Sequence, residues 1–216
     1  MKKKRILFDV DGVLLDSMPI WENSANLYLL EELGIDAPPE VDQNCATLSL
    51  LESGAYIKKL YPQIILSARE LADGVAGFIR ERYWGVPEKK GMAKTVHWLK
   101  EQGHLMYLAT ASEEKNVEGA LRNLGVWDCF QEIYTCTEIG YSKNYTEYYK
   151  TVAKRIGVSC EELIMVEDSL HSMVTAKRAG LTVIGVYEAA SADKEKEIKQ
   201  VCDIYLEELE QLQDWL

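Results

Sequence analysis

The sequence turns on one stretch near its start, Ile6-Leu7-Phe8-Asp9-Val10-Asp11-Gly12-Val13-Leu14-Leu15-Asp16-Ser17. Three apolar residues in a row, after a basic flank and before two carboxylates, read as a short buried strand. Gly12 lets the backbone turn sharply straight after them. Strand alternation would set Asp9 and Asp11 on the same side, where two like charges need a cation or a shared proton. A hard cation such as Mg2+ takes oxygen ligands and commonly sits between carboxylates and a phosphate. The stretch therefore reads as a metal-assisted site at a strand end, against the plainer reading of an acidic turn.

Downstream the pattern divides. Residues 17–85 are helical, with no buried strand. A stripe through Trp21, Ala25, Tyr28, Leu29 and Leu33 ends at Gly34, and Pro38-Pro39 marks a loop. A second helix runs through Leu51 to Leu60, and Ser67 with Glu70 forms a capping box that opens a third through Arg82. From residue 86 strands and helices alternate. Strands are expected at Leu105–Ala109, Phe130–Cys136, Leu163–Val166, Leu181–Val186 and Asp203–Leu206. Helices are expected at Met92–Glu101, Glu113–Asn123, Tyr145–Arg155 and Ser169–Arg178. This alternation predicts a doubly wound parallel sheet, with residues 1–16 and 86–216 as an α/β core and 17–85 as an inserted helical domain. Ligands of such sheets bind beyond the carboxyl ends of the strands, where Asp9, Thr110 and Asp168 all fall.

Composition narrows the function. A net charge of −11 argues against nucleic acid as a partner. No apolar run reaches membrane-spanning length. Asp9 interrupts the apolar run behind Lys2-Lys3-Lys4-Arg5 too early for a secretory signal. Five scattered cysteines without C-x-x-C spacing read as reduced thiols, so a cytoplasmic protein is expected. A chain of 216 residues working as a monomer or dimer is compatible with all of this.

Three further positions carry candidate chemistry. Thr110, with the backbone N–H of Ala111, ends an apolar run just before a helix, where a hydroxyl and an N-terminus can hold a phosphoryl oxygen; Ser112 reads as the helix cap. Lys143, directly before a helix, is a point charge for phosphate or a carboxylate, or else a solvated loop lysine. Glu167 and Asp168 follow Leu163–Val166, and acidic groups at the end of a buried strand need a partner, unless Asp168 or Ser169 merely caps the next helix. His97, His104 and His171 lack metal-ligand spacing. Trp21, Tyr28, Tyr83 and Trp84 read mainly as packing.

Taken together, these stretches resemble the haloacid dehalogenase superfamily. Asp9-Val-Asp-Gly-Val-Leu-Leu-Asp-Ser is similar to its nucleophile motif D-x-D-G-T-L-x-D-S, with Val13 for Thr. Thr110 resembles its second motif. Lys143 and Tyr149 fit the ends of its third, K-P-x-P-x-x-Y, with Asn144 and Thr146 in place of both prolines. Glu167-Asp168-Ser169 resembles its fourth, with Ser172 at a Gly position. The helical insertion is similar to the α-helical cap of the subgroup that includes phosphoglycolate phosphatase and β-phosphoglucomutase.

The resemblance implies a Mg2+-dependent phosphatase acting on a small phosphorylated metabolite. Asp9 would be the nucleophile and Asp11 the acid and base. Thr110, Ala111 and Lys143 would bind phosphate. Asp9, the Asp11 carbonyl and Asp168 would hold the metal, with Glu167 a ligand or a group behind the ligands. A phosphosugar mutase is the alternative, although that pattern carries a His where this chain has Trp21. A non-catalytic binding module keeping the fold is the third reading, and a dehalogenase would make Asp11 superfluous. Substrate choice is expected to lie in cap loops around residues 42–49.

Overall fold

The computed structural model describes residues 3–45, 48 and 50–216. Lys2, Ala46, Thr47 and Ser49, on which parts of the flank and cap-loop readings fall, lie outside the described residues.

Parallel strands β1 (Arg5–Phe8), β2 (Leu105–Thr110), β3 (Phe130–Thr135), β4 (Leu163–Glu167), β5 (Thr182–Val186) and β6 (Ile204–Leu206) make one sheet in the order β3-β2-β1-β4-β5-β6. The chain winds outward from β1 through β2 and β3, then returns to place β4 on the other side of β1. The winding direction therefore reverses between β1 and β4, which is where an open α/β sheet leaves its crevice. In-register pairing of Phe8 with Leu108 on one side and Val166 on the other aligns the three carboxyl ends.

The chain divides by contacts into two units, Met1–Asp16 with Val86–Leu216, and Ser17–Gly85. The second holds α1 (Met18–Leu33), α2 (Glu40–Cys45), α3 (Leu50–Leu60) and α4 (Ala68–Tyr83). The Ser67 hydroxyl accepts the Glu70 N–H (3.3 Å) and the Glu70 carboxylate accepts the Ser67 N–H (2.8 Å), closing the capping box at the start of α4. Gly54 lets α3 approach α4, since a Cβ there would overlap the Ala68 carbonyl. Tyr28 packs edge-on against Phe78 and Trp21 against Tyr83, so these aromatic rings do packing work inside this unit.

The first unit carries α5 (Met92–Glu101), α6 (Glu114–Asn123), α7 (Cys136–Ile139), α8 (Thr146–Ile156), α9 (Leu170–Ala179) and α10 (Glu195–Val201). Alternate strand residues Leu7, Ala109, Met165 and Val183 meet Tyr148, Tyr149, Val152, Met173, Ala176 and Ile198 in one buried cluster. The two chain crossings into the helical unit are tied within the core: Asp16 N–H donates to the Pro87 carbonyl and Lys89 N–H to the Leu14 carbonyl, both at 2.9 Å.

Among the described residues, three α-helices are absent from the sequence reading. α2 and α7 are barely more than a turn, too short for a periodic stripe. α10 buries a single residue, Ile198, so its sequence looks solvated throughout. Expected β3 ends one residue early, at Thr135, because Cys136 opens α7.

Candidate active site

β1 stops at Phe8, but the Asp9 N–H still donates to the Val166 carbonyl of β4 at 2.9 Å. That one extra rung sets Asp9 beside Glu167, the last residue of β4, with Asp168 next in the chain. Carboxylate oxygens of Asp9, Glu167 and Asp168 lie within 4.8 Å of one another, and all three residues are buried. Lys143 enters from the loop between α7 and α8. Its Nζ lies 2.8 Å from Asp9 Oδ2 and 3.0 Å from Glu167 Oε2, with the residue only 8% exposed.

Burial sets the electrostatics. Desolvation and the neighbouring Glu167 charge raise the Asp9 carboxyl well above its usual range, and Lys143 only partly offsets this. Desolvation likewise raises Glu167. Asp168 is pushed up to about 7, first by burial, then by the charges of Asp9 and Glu188. Burial by itself would lower the Lys143 ammonium, but the Asp9 and Glu167 carboxylates raise it well above its usual value. One ammonium faces three carboxylates, so the cluster is short of positive charge and holds protons where no cation is bound. A compact, buried, all-oxygen donor set of this kind fits a hard divalent cation.

Asn144 and Thr146 stand where the family motif has prolines, and the Tyr145 N–H donates to the Ser142 carbonyl (3.1 Å) before α8 begins. Tyr149 anchors the other end, its hydroxyl donating to the Ser172 carbonyl at 3.1 Å.

The chain leaves the strand after Phe8 and turns at Gly12, whose N–H donates to the Leu15 carbonyl (2.9 Å). Asp11, on this turn, accepts the Ser112 hydroxyl at 2.6 Å. Gly12 has φ +79°, and a Cβ there would stand 2.8 Å from Asp168 Oδ2, so both backbone angle and space require glycine.

Thr110 is fully buried and its hydroxyl accepts the Ser112 N–H at 3.0 Å; Ala111 is exposed beside it. Ser112 is not the cap of α6, a position held by Glu113 without a side-chain bond. Ser169, likewise, makes no side-chain cap for α9, and its N–H donates to Glu167 (3.2 Å). Sequence reasoning also missed Glu188, two residues past β5, which is buried, pairs with Lys89 and faces Asp168 electrostatically. The signal that marked the other residues, a polar group just beyond a buried strand, was present there too. His104 is buried and accepts the Lys4 N–H through Nδ1 (3.1 Å), while His97 and His171 are exposed.

Fold and site together define an α/β enzyme with an acidic centre at the carboxyl ends of its strands. The sequence model of the haloacid dehalogenase-like hydrolases matches residues 6–186, and the chain belongs to that family. Hexitol phosphatase B of Escherichia coli (strain K12) is 28% identical over 184 residues, spanning 83% of this chain and 82% of the relative. The crystal structure of a Thermotoga maritima protein provisionally assigned as a β-phosphoglucomutase superposes with a TM-score of 0.84 at 20% identity, covering 99% of this chain and 100% of that one. A provisionally assigned hydrolase of the same family from Bacillus subtilis, YfnB, was crystallised bound to magnesium; it superposes at 0.77 with 20% identity, covering 100% of this chain and 99% of its own. The chain is a phosphoric monoester hydrolase of this family. Among the described residues no helix is long and apolar enough to cross a membrane.

Proposed function

We propose that this enzyme is a Mg2+-dependent phosphatase that hydrolyses a small phosphorylated metabolite through an aspartyl-phosphate on Asp9. The observation that carries the reading is the Lys143 ammonium at 2.8 Å from Asp9, inside a buried cluster completed by Glu167 and Asp168. Asp9, Asp168 and the Asp11 carbonyl would hold the cation, with Glu167 a ligand or behind them. When bound, the cation keeps these carboxylates ionised and offsets negative charge on the phosphoryl oxygens.

In the first step an Asp9 oxygen attacks phosphorus in line, the bond to the ester oxygen breaks, and Asp11 gives that oxygen its proton. Lys143 and the N–H groups around Thr110 and Ala111 hold the phosphoryl oxygens. In the second step Asp11 takes a proton from water, whose oxygen attacks the same phosphorus. The Asp9–phosphorus bond breaks and inorganic phosphate leaves. Similarity to a hexitol phosphatase supports phosphorylated sugars or sugar alcohols as the first substrates to try. Five free cysteines fit a reducing, cytoplasmic setting.

The test is phosphate release from a panel of phosphorylated metabolites, with and without Mg2+, for wild type and Asp9→Asn. Mg2+-dependent release by wild type and a loss of at least about a thousandfold in the variant are expected for a covalent nucleophile. Residual activity within about tenfold of wild type would remove Asp9 from the mechanism. β-Glucose 1-phosphate with a bisphosphate primer tests the mutase alternative: glucose 6-phosphate accumulating faster than free phosphate would replace the phosphatase reading.

A further inference from the structure

Ser112 stands two residues past the end of β2, and its neighbours rule out a capping role. Its backbone N–H is already spent on the Thr110 hydroxyl (3.0 Å). Its own hydroxyl crosses from β2 to the loop after β1 and donates to Asp11 Oδ2 at 2.6 Å. The residue is 7% exposed and Thr110 is fully buried, so the Thr110–Ser112 end of this relay is shielded from solvent, while Asp11 is half-buried. The bond is short and charge-assisted, the strong kind.

Asp11 stands on the turn between Val10 and Gly12 and is half-buried; the short, directed bond from Ser112 fixes the bearing of the carboxyl oxygen that accepts it. We propose that Ser112 is a positioning residue for Asp11: the hydroxyl aims that carboxyl at the leaving-group oxygen, and the Thr110 bond holds Ser112 in place to do so. The inference rests on the proposed role of Asp11 as acid and base. It adds a residue that ties the acid to the phosphate-binding strand end, so the two groups are placed by one hydrogen-bonded chain.

Proton donation matters only when the leaving group needs a proton, and this gives a readout that general damage would not reproduce. Phenyl phosphate must expel a poorly stabilised phenolate, whereas p-nitrophenyl phosphate expels a nitrophenolate that departs unprotonated. The parameter to compare is kcat/KM, which covers steps up to loss of the leaving group. For Ser112→Ala, kcat/KM on phenyl phosphate should fall by about tenfold or more, while that on p-nitrophenyl phosphate falls by less than about threefold, the span expected when general acid catalysis is weakened. Ser112→Thr, which keeps the hydroxyl, should restore the ratio. In an Asp11→Asn background Ser112→Ala should cost nothing further, because the two residues act as one unit.

Equal losses on both esters, no rescue by threonine, or an additive loss in the Asp11→Asn background would each overturn the inference, while the phosphatase reading stands. If wild type releases phosphate from neither ester nor any metabolite of the panel, both fall together. A thermal melt of each variant accompanies the kinetics, and Ser112→Thr carries the comparison if the alanine variant unfolds.

Discussion

Replacing Asp168 with asparagine separates the cost of the buried charge from its use. The carboxyl is 5% exposed and sits at about 7 in the folded protein against an ordinary 3.8. At about 1.4 kcal/mol per pKa unit, ionising it inside the metal-free protein costs about 4 kcal/mol of folding free energy. The sign follows from a folded value raised above the unfolded one. Stability is whole below pH 3.8 and is lost as pH rises through about 7. Asparagine keeps the shape and removes the titration, so metal-free Asp168→Asn should melt higher than wild type at about pH 8, and the gap should close towards about pH 4. A chain of this size moves about 2–4 °C per kcal/mol, which puts the gap at up to about 8–16 °C. Magnesium reverses the order: it should raise the wild-type melting temperature at about pH 8, barely move the variant, and support turnover only in wild type. Melting followed by circular dichroism in chelator and in millimolar Mg2+ reads both effects. A metal-free variant no more stable than wild type at any pH would refute the argument that these carboxylates are held against their own repulsion. An unchanged Mg2+ response in the variant would show that the cation is held elsewhere.

Gly12→Ala should destabilise the core by at least about 1–2 kcal/mol from the left-handed backbone alone. Its Cβ, 2.8 Å from Asp168 Oδ2, should also displace that carboxylate and lower Mg2+-dependent activity; a variant with wild-type kinetics would show that Asp168 is not needed where it stands. Burial, with the positive charge of Lys4, lowers the His104 pKa below 6.5. Its stabilising effect is present above 6.5 and is lost as pH falls through the folded value, when the ring can no longer accept the Lys4 N–H. The stability advantage of wild type over His104→Asn should therefore shrink between about pH 7.5 and about pH 5.5, and a constant advantage would mean that the ring does not titrate in that window.

Much of this protein is determined by the sequence alone, because the signals are local. Apolar runs such as Leu105–Ala109 are short, and each is followed by a residue that cannot be buried unpartnered. Gly34 and the Ser67–Glu70 box end and begin helices through contacts within one turn. These cues suffice for a parallel α/β core and for three strand-end positions, Asp9, Thr110 and Asp168, at which chemistry can occur. What they cannot supply is which strand end meets which. Asp9 is next to Glu167 only because β1 pairs in register with β4, a strand more than 150 residues away. Lys143 reaches the same cluster from the loop between α7 and α8, although both motif prolines are missing there. Asp11 and Ser112 show the converse. Helix-capping rules are sound locally, yet Ser112 caps no helix: the close approach of the β1 and β2 ends joins its hydroxyl to Asp11 instead. Local pattern reports what each segment prefers by itself; pairing between distant segments has no trace in spacing, and only the folded sheet decides it.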